Sequence, residues 1–285
     1  MKLEGRRQST NVDDRRGKTM KAGGLGLGGI IIVGLITLLM GGDPQDVIRN
    51  IESSGVGAGQ VQDYTPSEQE QELAVFASQI LAGTEDVWSE IFRQNNLKYV
   101  PPKLVLFSGS VRSGCGGADA STGPFYCSAD QSVYIDLSFF TNMKRVIGAD
   151  GDFAYAYVIA HEVGHHVQYL LGTLQEANAE RSRVSEKESN QISVRLELQA
   201  DFYAGVWAYH DNKMFGSLER GDIEEGLAVA SKIGDDYLQK QSRGYAVPDS
   251  FNHGTSAQRS RWFRKGIDCG DPSKGDTFSP AYNQL

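Results

Sequence analysis

The sequence predicts an α+β protein, in which a small β-sheet packs beside a larger helical body and one N-terminal transmembrane helix precedes both. Two short runs of apolar and β-branched residues, at 103–107 and 132–137, predict strands. Beyond residue 151, apolar side chains recur at helical spacing. Residues 22–42 include no charged side chain, and a helix of about 20 apolar residues is long enough to cross a bilayer.

The composition limits the classes of protein that this chain can belong to. Its 285 residues are 40% hydrophobic and 22% charged, which suits one sizeable folded domain with appendages and excludes a collagen-like, coiled-coil or wholly disordered chain. The formal net charge of −8 argues against nucleic acid as a partner. The composition does not predict an oligomeric state.

The N-terminal part divides into three predicted segments. By the positive-inside rule, the basic residues 1–21 form a cytoplasmic tail, residues 22–42 cross the membrane once, and the remaining chain is extracytoplasmic. Residues 43–65, rich in Gly and Ser, form a flexible linker to a domain at 66–285. A cleaved signal peptide and a flexible Gly-rich arm stay open as alternatives, although no small-residue cleavage site follows Met40.

Helix signals dominate the domain. A capping box at Thr65, with proline at the first helical position, begins a helix that Gly83 is expected to break. Four later helices are predicted at 152–171, 188–211, 223–240 and 256–265. The tail after Cys269 is expected to be irregular.

A Gly-rich loop at 113–128 separates the two predicted strands. It contains Cys115 and Cys127, which could form a disulfide outside the cytoplasm. In the alternative, these two cysteines and Cys269 are three unpaired thiols.

The segment His161-Glu162-Val163-Gly164-His165 is an H-E-x-x-H motif within an apolar helical stretch. His161 and His165 share one helix face, so both imidazoles can bind one metal ion, and Glu162 can reach a water beside that ion. A later helix carries Glu197 and Asp201, again four residues apart. Glu197 is the candidate third ligand, and Asp201 is expected to accept a hydrogen bond from a ligand histidine. The alternative is a histidine pair that is packed without metal.

These two motifs resemble those of the Glu-zincin metallopeptidases. The whole chain is similar to a bacterial family of membrane-anchored neutral zinc metallopeptidases. The segments that carry the resemblance are 5–7, 11–16, 123–127, 133–136, 161–166, 197–204 and 253–259. The resemblance implies a zincin-like domain, with a twisted sheet packed on the active-site helix, and hydrolysis of peptide bonds in polypeptide substrates.

The expected mechanism uses one Zn²⁺ held by His161, His165 and Glu197, with the fourth position open to water. Glu162 is the predicted general base. His253 and Arg259 are candidates for stabilising the oxyanion, but His253 could be an ordinary loop residue and Arg259 could pair with an acidic group such as Asp201.

Two further hypotheses concern binding. Residues 133–137 could be an edge strand that pairs with an extended substrate, or a plain core strand. The alternative function is a catalytically silent, zinc-stabilised, membrane-anchored binding or adaptor protein, against which the intact Glu162 argues. A zinc hydrolase that acts on a non-protein amide also stays open.

Overall fold

Four strands form the main sheet of the computed structural model, which describes residues 1–17, 64–148 and 151–285. The strands are β1 (Val12–Asp14), β2 (Lys103–Phe107), β5 (Phe125–Cys127) and β6 (Ser132–Asp136). Their spatial order is β1-β2-β6-β5. The first three in this order run parallel, and β5 lies antiparallel to β6 at an edge. The predicted strands at 103–107 and 132–137 are confirmed, the second ending one residue earlier.

Both faces of the sheet are buried. Leu104 and Ile135 point into the main hydrophobic core, while Val105, Phe107 and Tyr134 point into a second cluster on the other face. Because both faces are covered, the strands are nearly continuous in apolar residues rather than alternating.

The predicted Gly-rich loop contains a hairpin, β3 (Ser110–Ser113) and β4 (Gly116–Asp119). A disulfide with an S–S distance of 2.08 Å joins Cys115 in the hairpin turn to Cys127 on β5. Cys269 is free and exposed. Of the two cysteine states considered from the sequence, the structure has the Cys115–Cys127 disulfide rather than three unpaired thiols.

Eight helices of the described residues form the body of the protein. They are α1 (Glu68–Gln94), α2 (Ser138–Ile147), α3 (Asp152–Leu170), α4 (Thr173–Arg181), α5 (Glu186–Phe215), α6 (Asp222–Lys232), α7 (Asp235–Arg243) and α8 (Ser256–Cys269). Helix α5 packs against both α3 and α8, and these three helices hold much of the core. The α+β class, with a small sheet and a helical body, is confirmed.

Some helix boundaries differ from those predicted. The predicted helix at 223–240 is two helices, α6 and α7, because the chain is extended at Gly234. Helices α2 and α4 were not predicted. The N-cap of α1 is Ser67, paired with Glu70, rather than Thr65. Ser67 provides a side-chain oxygen that accepts from the N3 backbone, so the capping box lies two residues further on.

Residues 1–17 belong to the folded domain. Strand β1 pairs with β2, with Val12 opposite Leu104. The Arg6 guanidinium lies 2.7 Å from the Asp211 carboxylate, which is 1% exposed. Residues 1–17 are therefore part of the folded domain rather than a separate tail, because β1 lies in the sheet and Arg6 and Arg7 pair with acidic groups of later segments. The cytoplasmic location stays a prediction.

Helix α1 is continuous through Gly83, where a break was predicted, and the surroundings of Gly83 show why a glycine stands there. A Cβ at this position would lie 2.8 Å from both Arg6 Nη2 and Asp211 Oδ1. The missing side chain therefore makes room for the Arg6–Asp211 ion pair against the middle of α1, and glycine here serves packing rather than helix termination.

The predicted transmembrane helix at 22–42 lies outside the described residues, as does the predicted linker except for its last two residues. Among the helices that the structure describes, none combines the length and the apolar character needed to span a bilayer. Gly17 lies directly against the Tyr64 side chain. The segment 18–63 therefore starts and finishes at neighbouring points of the domain.

Replacing Arg6 by alanine should lower the free energy of unfolding by roughly 3 kcal/mol, because it leaves the buried Asp211 carboxylate without its ion-pair partner. Lys187→Ala is the control. Lys187 also pairs with a carboxylate, that of Asp249, but its side chain is 57% exposed, so its loss should cost less than about 1 kcal/mol. Urea denaturation of the full chain measures both. Equal effects of the two substitutions would contradict a folded role for residues 1–17.

Candidate metal centre

The close approach of α3 and α5 brings the two predicted motifs together. Gly164, within the H-E-x-x-H segment, packs on the backbone of Ala200, and a Cβ there would lie 2.9 Å from the Ala200 carbonyl oxygen. A larger residue at 164 would push the helices apart. Because Ala200 lies between Glu197 and Asp201, this contact places both carboxylates beside the histidine pair.

His161, His165 and Glu197 form a three-donor cluster whose ligand atoms lie within 4.8 Å of one another. His161 Nε2 is 3.2 Å from Glu197 Oε2, and His165 Nε2 is 3.5 Å from Glu197 Oε1. Donors bound tetrahedrally to zinc at about 2.0–2.1 Å stand roughly 3.3 Å apart. The donor types and the two histidine–glutamate distances therefore suit a zinc ion.

Asp201 orients the first histidine. Its Oδ1 lies 2.8 Å from His161 Nδ1, which leaves Nε2 directed at the cluster. The carboxylate is fully buried and also accepts a hydrogen bond from the Tyr157 hydroxyl at 2.6 Å. Burial raises the pKa of Asp201, but the charges of Arg259 and His161 outweigh it and lower the pKa below its usual value. Asp201 is therefore an anionic acceptor that fixes the His161 tautomer.

Arg259 holds Asp201 in place. Its Nε donates to Asp201 Oδ2 at 2.8 Å and its Nη2 to Oδ1 at 2.9 Å. The side chain is 3% exposed. Of the two roles predicted for Arg259, the structure shows the bidentate pairing with Asp201, and the oxyanion role stays a prediction.

Gln168 orients the second histidine, and sequence reasoning missed it. Its Oε1 lies 2.8 Å from His165 Nδ1, and its Nε2 donates to the Leu196 carbonyl at 2.7 Å. The same Nε2 lies 3.1 Å from Gln199 Oε1, and Gln199 in turn donates to the Gly275 carbonyl at 2.9 Å. The sequence feature that could have indicated this role is a polar residue three positions after His165, on the same helix face.

Charges within the cluster shift its pKa values. Burial lowers the pKa of His161, but the carboxylates of Asp201 and Glu197 outweigh it and raise the pKa to about 10. Burial raises the pKa of Glu197, but His165 and His161 reverse this and bring it well below its usual value. The carboxylates around His161 therefore favour a positive charge at this position, as a proton or as a metal ion.

Glu162 lies beside the cluster without belonging to it. Its side chain is buried, at 8% exposure, and burial raises the pKa of its carboxyl group. The backbone of Tyr126, on β5, hydrogen-bonds to this carboxylate. A buried carboxylate whose pKa is raised is suited to accept and return a proton.

The edge strand next to Glu162 is β5. Of the two interpretations of residues 133–137, an edge strand or a core strand, the second is confirmed. Residues Ser132–Asp136 form β6, which is flanked by β2 and β5 and is therefore internal. His166 joins β5 to α3, because its Nδ1 lies 2.9 Å from the Tyr126 hydroxyl and its Nε2 lies 2.7 Å from the Val100 carbonyl. Burial lowers the pKa of His166 to about 4, so it is a neutral structural residue, as expected for a histidine that is not a ligand.

His253 lies close enough to the cluster for its charge to affect the pKa of Glu197. Asp235 positions it: Oδ2 accepts the backbone N–H groups of residues 252, 253 and 254, and Oδ1 lies 3.3 Å from His253 Nδ1. Burial lowers the pKa of His253, but the Asp235 hydrogen bond and the Glu197 charge raise it above its usual value. The side chain is 34% exposed, so it stays accessible beside the cluster.

The family model described as "Putative neutral zinc metallopeptidase" matches residues 1–278. The chain belongs to this family. The predicted resemblance is thus confirmed, and the match includes the N-terminal residues that the structure places in the sheet.

Relatives in this family share much of the sequence. The "Uncharacterized protein YpfJ" of Escherichia coli (strain K12) is 48% identical, over 98% of this chain and 99% of its own length. The "Uncharacterized protein Mb2605" of Mycobacterium bovis is 43% identical, over 64% of each chain. No solved structure shows significant similarity to the chain. The family description implies zinc, for which His161, His165 and Glu197 are the candidate ligands.

Substituting Gln168 by leucine should weaken zinc affinity by about 10- to 100-fold, because His165 loses the acceptor that fixes its tautomer and ring orientation. The measurement is competition with a chromophoric chelator. Gln175→Leu is the control, since Gln175 is exposed and donates only to the Tyr169 carbonyl. Unchanged affinity in the Gln168 variant would show that His165 needs no such support.

Proposed function

We propose that this protein is a zinc metallopeptidase that hydrolyses peptide bonds in polypeptides. The observation that carries the proposal is the position of Glu162. This buried carboxylate lies beside the three-donor cluster but is not one of its candidate ligands. A purely structural zinc site is usually closed by a fourth protein ligand. The cluster of His161, His165 and Glu197 instead leaves a position for water next to a proton acceptor.

When bound, zinc supplies Lewis acidity, which acidifies a water molecule and polarises a carbonyl group. His161 Nε2, His165 Nε2 and Glu197 hold the ion, while Asp201 and Gln168 keep the two imidazoles in the required tautomer. Glu162 accepts a proton from the attacking water and delivers it to the leaving amine nitrogen. The raised pKa of Glu162 favours this return of the proton.

Strand β5 is the proposed platform for the substrate backbone. It is the edge of the sheet next to Glu162, and an extended peptide can pair with an exposed edge through main-chain hydrogen bonds. His253, held by Asp235, is the proposed donor to the oxyanion that forms during attack. Main-chain pairing would make recognition tolerant of substrate sequence.

Glu162→Gln should keep zinc and lower hydrolysis of an unfolded protein such as casein by at least about 100-fold, because the variant lacks the proton acceptor. Elemental analysis gives the zinc content, and a chelator followed by added zinc tests whether activity depends on the metal. Glu186→Gln, an exposed substitution at the start of α5, is the control.

Two outcomes contradict the proposal in different ways. Full activity in Glu162→Gln would refute the role of Glu162 as general base. Zinc binding without turnover in the unaltered protein would favour the alternative, a catalytically silent zinc-stabilised binding or adaptor protein.

We also propose that residues 22–42 attach the protein to the cell membrane, with the domain outside the cytoplasm. The apolar character of this uncharged segment supports its insertion into lipid, and the Cys115–Cys127 disulfide supports an oxidising compartment. Since residues 1–17 contribute β1 to the sheet, this proposal places them on the same side as the domain.

An impermeant maleimide applied to spheroplasts tests this topology. The exposed free thiol of Cys269 reports on the domain, and Thr10→Cys, at an exposed position, reports on the N-terminal segment in a Cys269→Ser background. Both thiols should be labelled, and the protein should sediment with membranes. Labelling of Cys269 alone would restore the single-pass arrangement, and labelling of neither would place the domain in the cytoplasm.

A further inference from the structure

The hydrogen bond between His165 and Gln168 continues as a chain of amides that leads away from the metal ligands. Gln168 Nε2 lies 2.7 Å from the Leu196 carbonyl oxygen and 3.1 Å from Gln199 Oε1. Gln199 Nε2 lies 2.9 Å from the carbonyl oxygen of Gly275. Gln168 and Gln199 are 0% and 6% exposed, so these bonds are shielded from bulk water. The chain thus connects a candidate ligand on α3 with a residue that follows α8.

Main-chain carbonyls set the direction of this chain. The Gly275 oxygen can only accept a hydrogen bond, so Gln199 directs its NH2 group there and its own oxygen at Gln168. The Leu196 oxygen also only accepts, so the NH2 group of Gln168 faces Leu196 and Gln199. The Gln168 oxygen is left for His165, whose Nδ1 therefore carries a proton. In the neutral imidazole, Nε2 is then the unprotonated nitrogen that can bind a metal.

His165 needs such a chain because its partner is an amide. The Asp201 carboxylate offers His161 an acceptor oxygen whichever way it is turned. An amide has one donor end and one acceptor end. If Gln168 turned over, its NH2 group would face His165 Nδ1 and favour the tautomer with the proton on Nε2, which cannot bind a metal. The orientation of Gln168 therefore decides whether His165 can act as a ligand.

The segment 275–278 is itself fixed to α5. The Thr277 hydroxyl donates to the Arg195 carbonyl at 2.8 Å, and the Arg195 guanidinium donates back to the Thr277 carbonyl. Gly275 packs on the buried ring of Phe202, where a Cβ would lie 2.6 Å from Cδ1. The acceptor at the end of the amide chain is therefore held in place.

We propose that Gln199 and the segment 275–278 are positioning elements of the metal centre, which hold His165 in the tautomer that presents Nε2 to the ion. Gln199 acts on His165 through Gln168. Without the Gln199 oxygen, one N–H of Gln168 would be buried with no acceptor, which favours rotation of this amide. The inference concerns metal binding by the cluster and goes beyond the proposed hydrolysis of peptides, on which it does not depend.

The first experiment is zinc titration of the full-length protein in competition with a chromophoric chelator. Gln199→Met keeps the length of the side chain but removes both polar ends, so zinc affinity should fall about threefold to thirtyfold. Gln79→Met is the matched control. Gln79 is a half-buried glutamine of α1 that also donates to main-chain carbonyls, those of residues 3 and 6, and its loss should leave zinc affinity unchanged.

A double variant tests whether Gln199 acts through Gln168. Gln168→Leu combined with Gln199→Met should bind zinc no more weakly than Gln168→Leu alone, because the chain is already broken next to His165. Thr277→Val is a milder variant that leaves both amides intact and removes one bond that anchors the segment 275–278. It should weaken zinc binding about twofold to fivefold.

NMR of the zinc-loaded protein with isotope-labelled histidine reports on His165 directly. Its Nδ1–H proton, assigned by its change in Gln168→Leu, should exchange with water at least about tenfold faster in Gln199→Met. The Nδ1–H proton of His161, which faces Asp201, is the internal control and should exchange at an unchanged rate. A general loss of stability would affect both protons.

Four results overturn the proposal. They are unchanged zinc affinity in Gln199→Met and Thr277→Val, losses that multiply in the double variant, an unchanged exchange rate of the His165 proton, and no zinc binding by the unaltered protein. Zinc binding that responds as expected, in a protein that hydrolyses no peptide, would contradict only the proposed function.

Discussion

The buried carboxylate of Asp201 is the interaction on which the metal centre depends. It lies on α5, accepts hydrogen bonds from His161 and Tyr157 on α3, and forms a bidentate ion pair with Arg259 on α8. A fully buried charge is tolerated only when it is paired and hydrogen-bonded. Its partners therefore fix the relative positions of three helices, and the same contacts direct one imidazole at the metal position.

The two ligand histidines are supported in chemically different ways. His161 bonds to an anionic carboxylate, while His165 bonds to the neutral amide of Gln168. A carboxylate partner raises the basicity of an imidazole more than an amide does. His161 is thus the more strongly polarised ligand, while the Gln168 amide mainly fixes the orientation of His165. Gln168 is itself held by Gln199, which donates to the Gly275 carbonyl.

The parts of the site that the sequence predicted are those set by local periodicity. His161 and His165, like Glu197 and Asp201, lie one turn apart on a single helix, and helical spacing alone places each pair on one face. The parts that it did not predict depend on contacts between distant segments. One example is the contact between Asp235 and the loop of His253, which local composition does not predict. Another is the position of β5 at the edge of the sheet.

In the fold, too, local sequence pattern predicted some elements, whereas others depend on contacts between distant segments. The strands at 103–107 and 132–137 and the longer helices followed from apolar pattern. Strand β1 was assigned to a tail because its neighbours are basic, whereas Arg6 and Arg7 form ion pairs with acidic residues of the domain. An excess of basic residues is expected both in a segment that faces the cytoplasm and in one that packs on an acidic surface. The number of basic residues alone therefore cannot distinguish the two.

The contact between Gly17 and Tyr64 brings the ends of two described segments together, although 46 residues separate them in the sequence. A short Gly-Ser bridge from residue 17 to residue 64 would span the gap while keeping both β1 and α1. Truncation at residue 66, by contrast, would remove a strand from the sheet and leave Asp211 unpaired. The fold therefore requires residues on both sides of the segment 18–63.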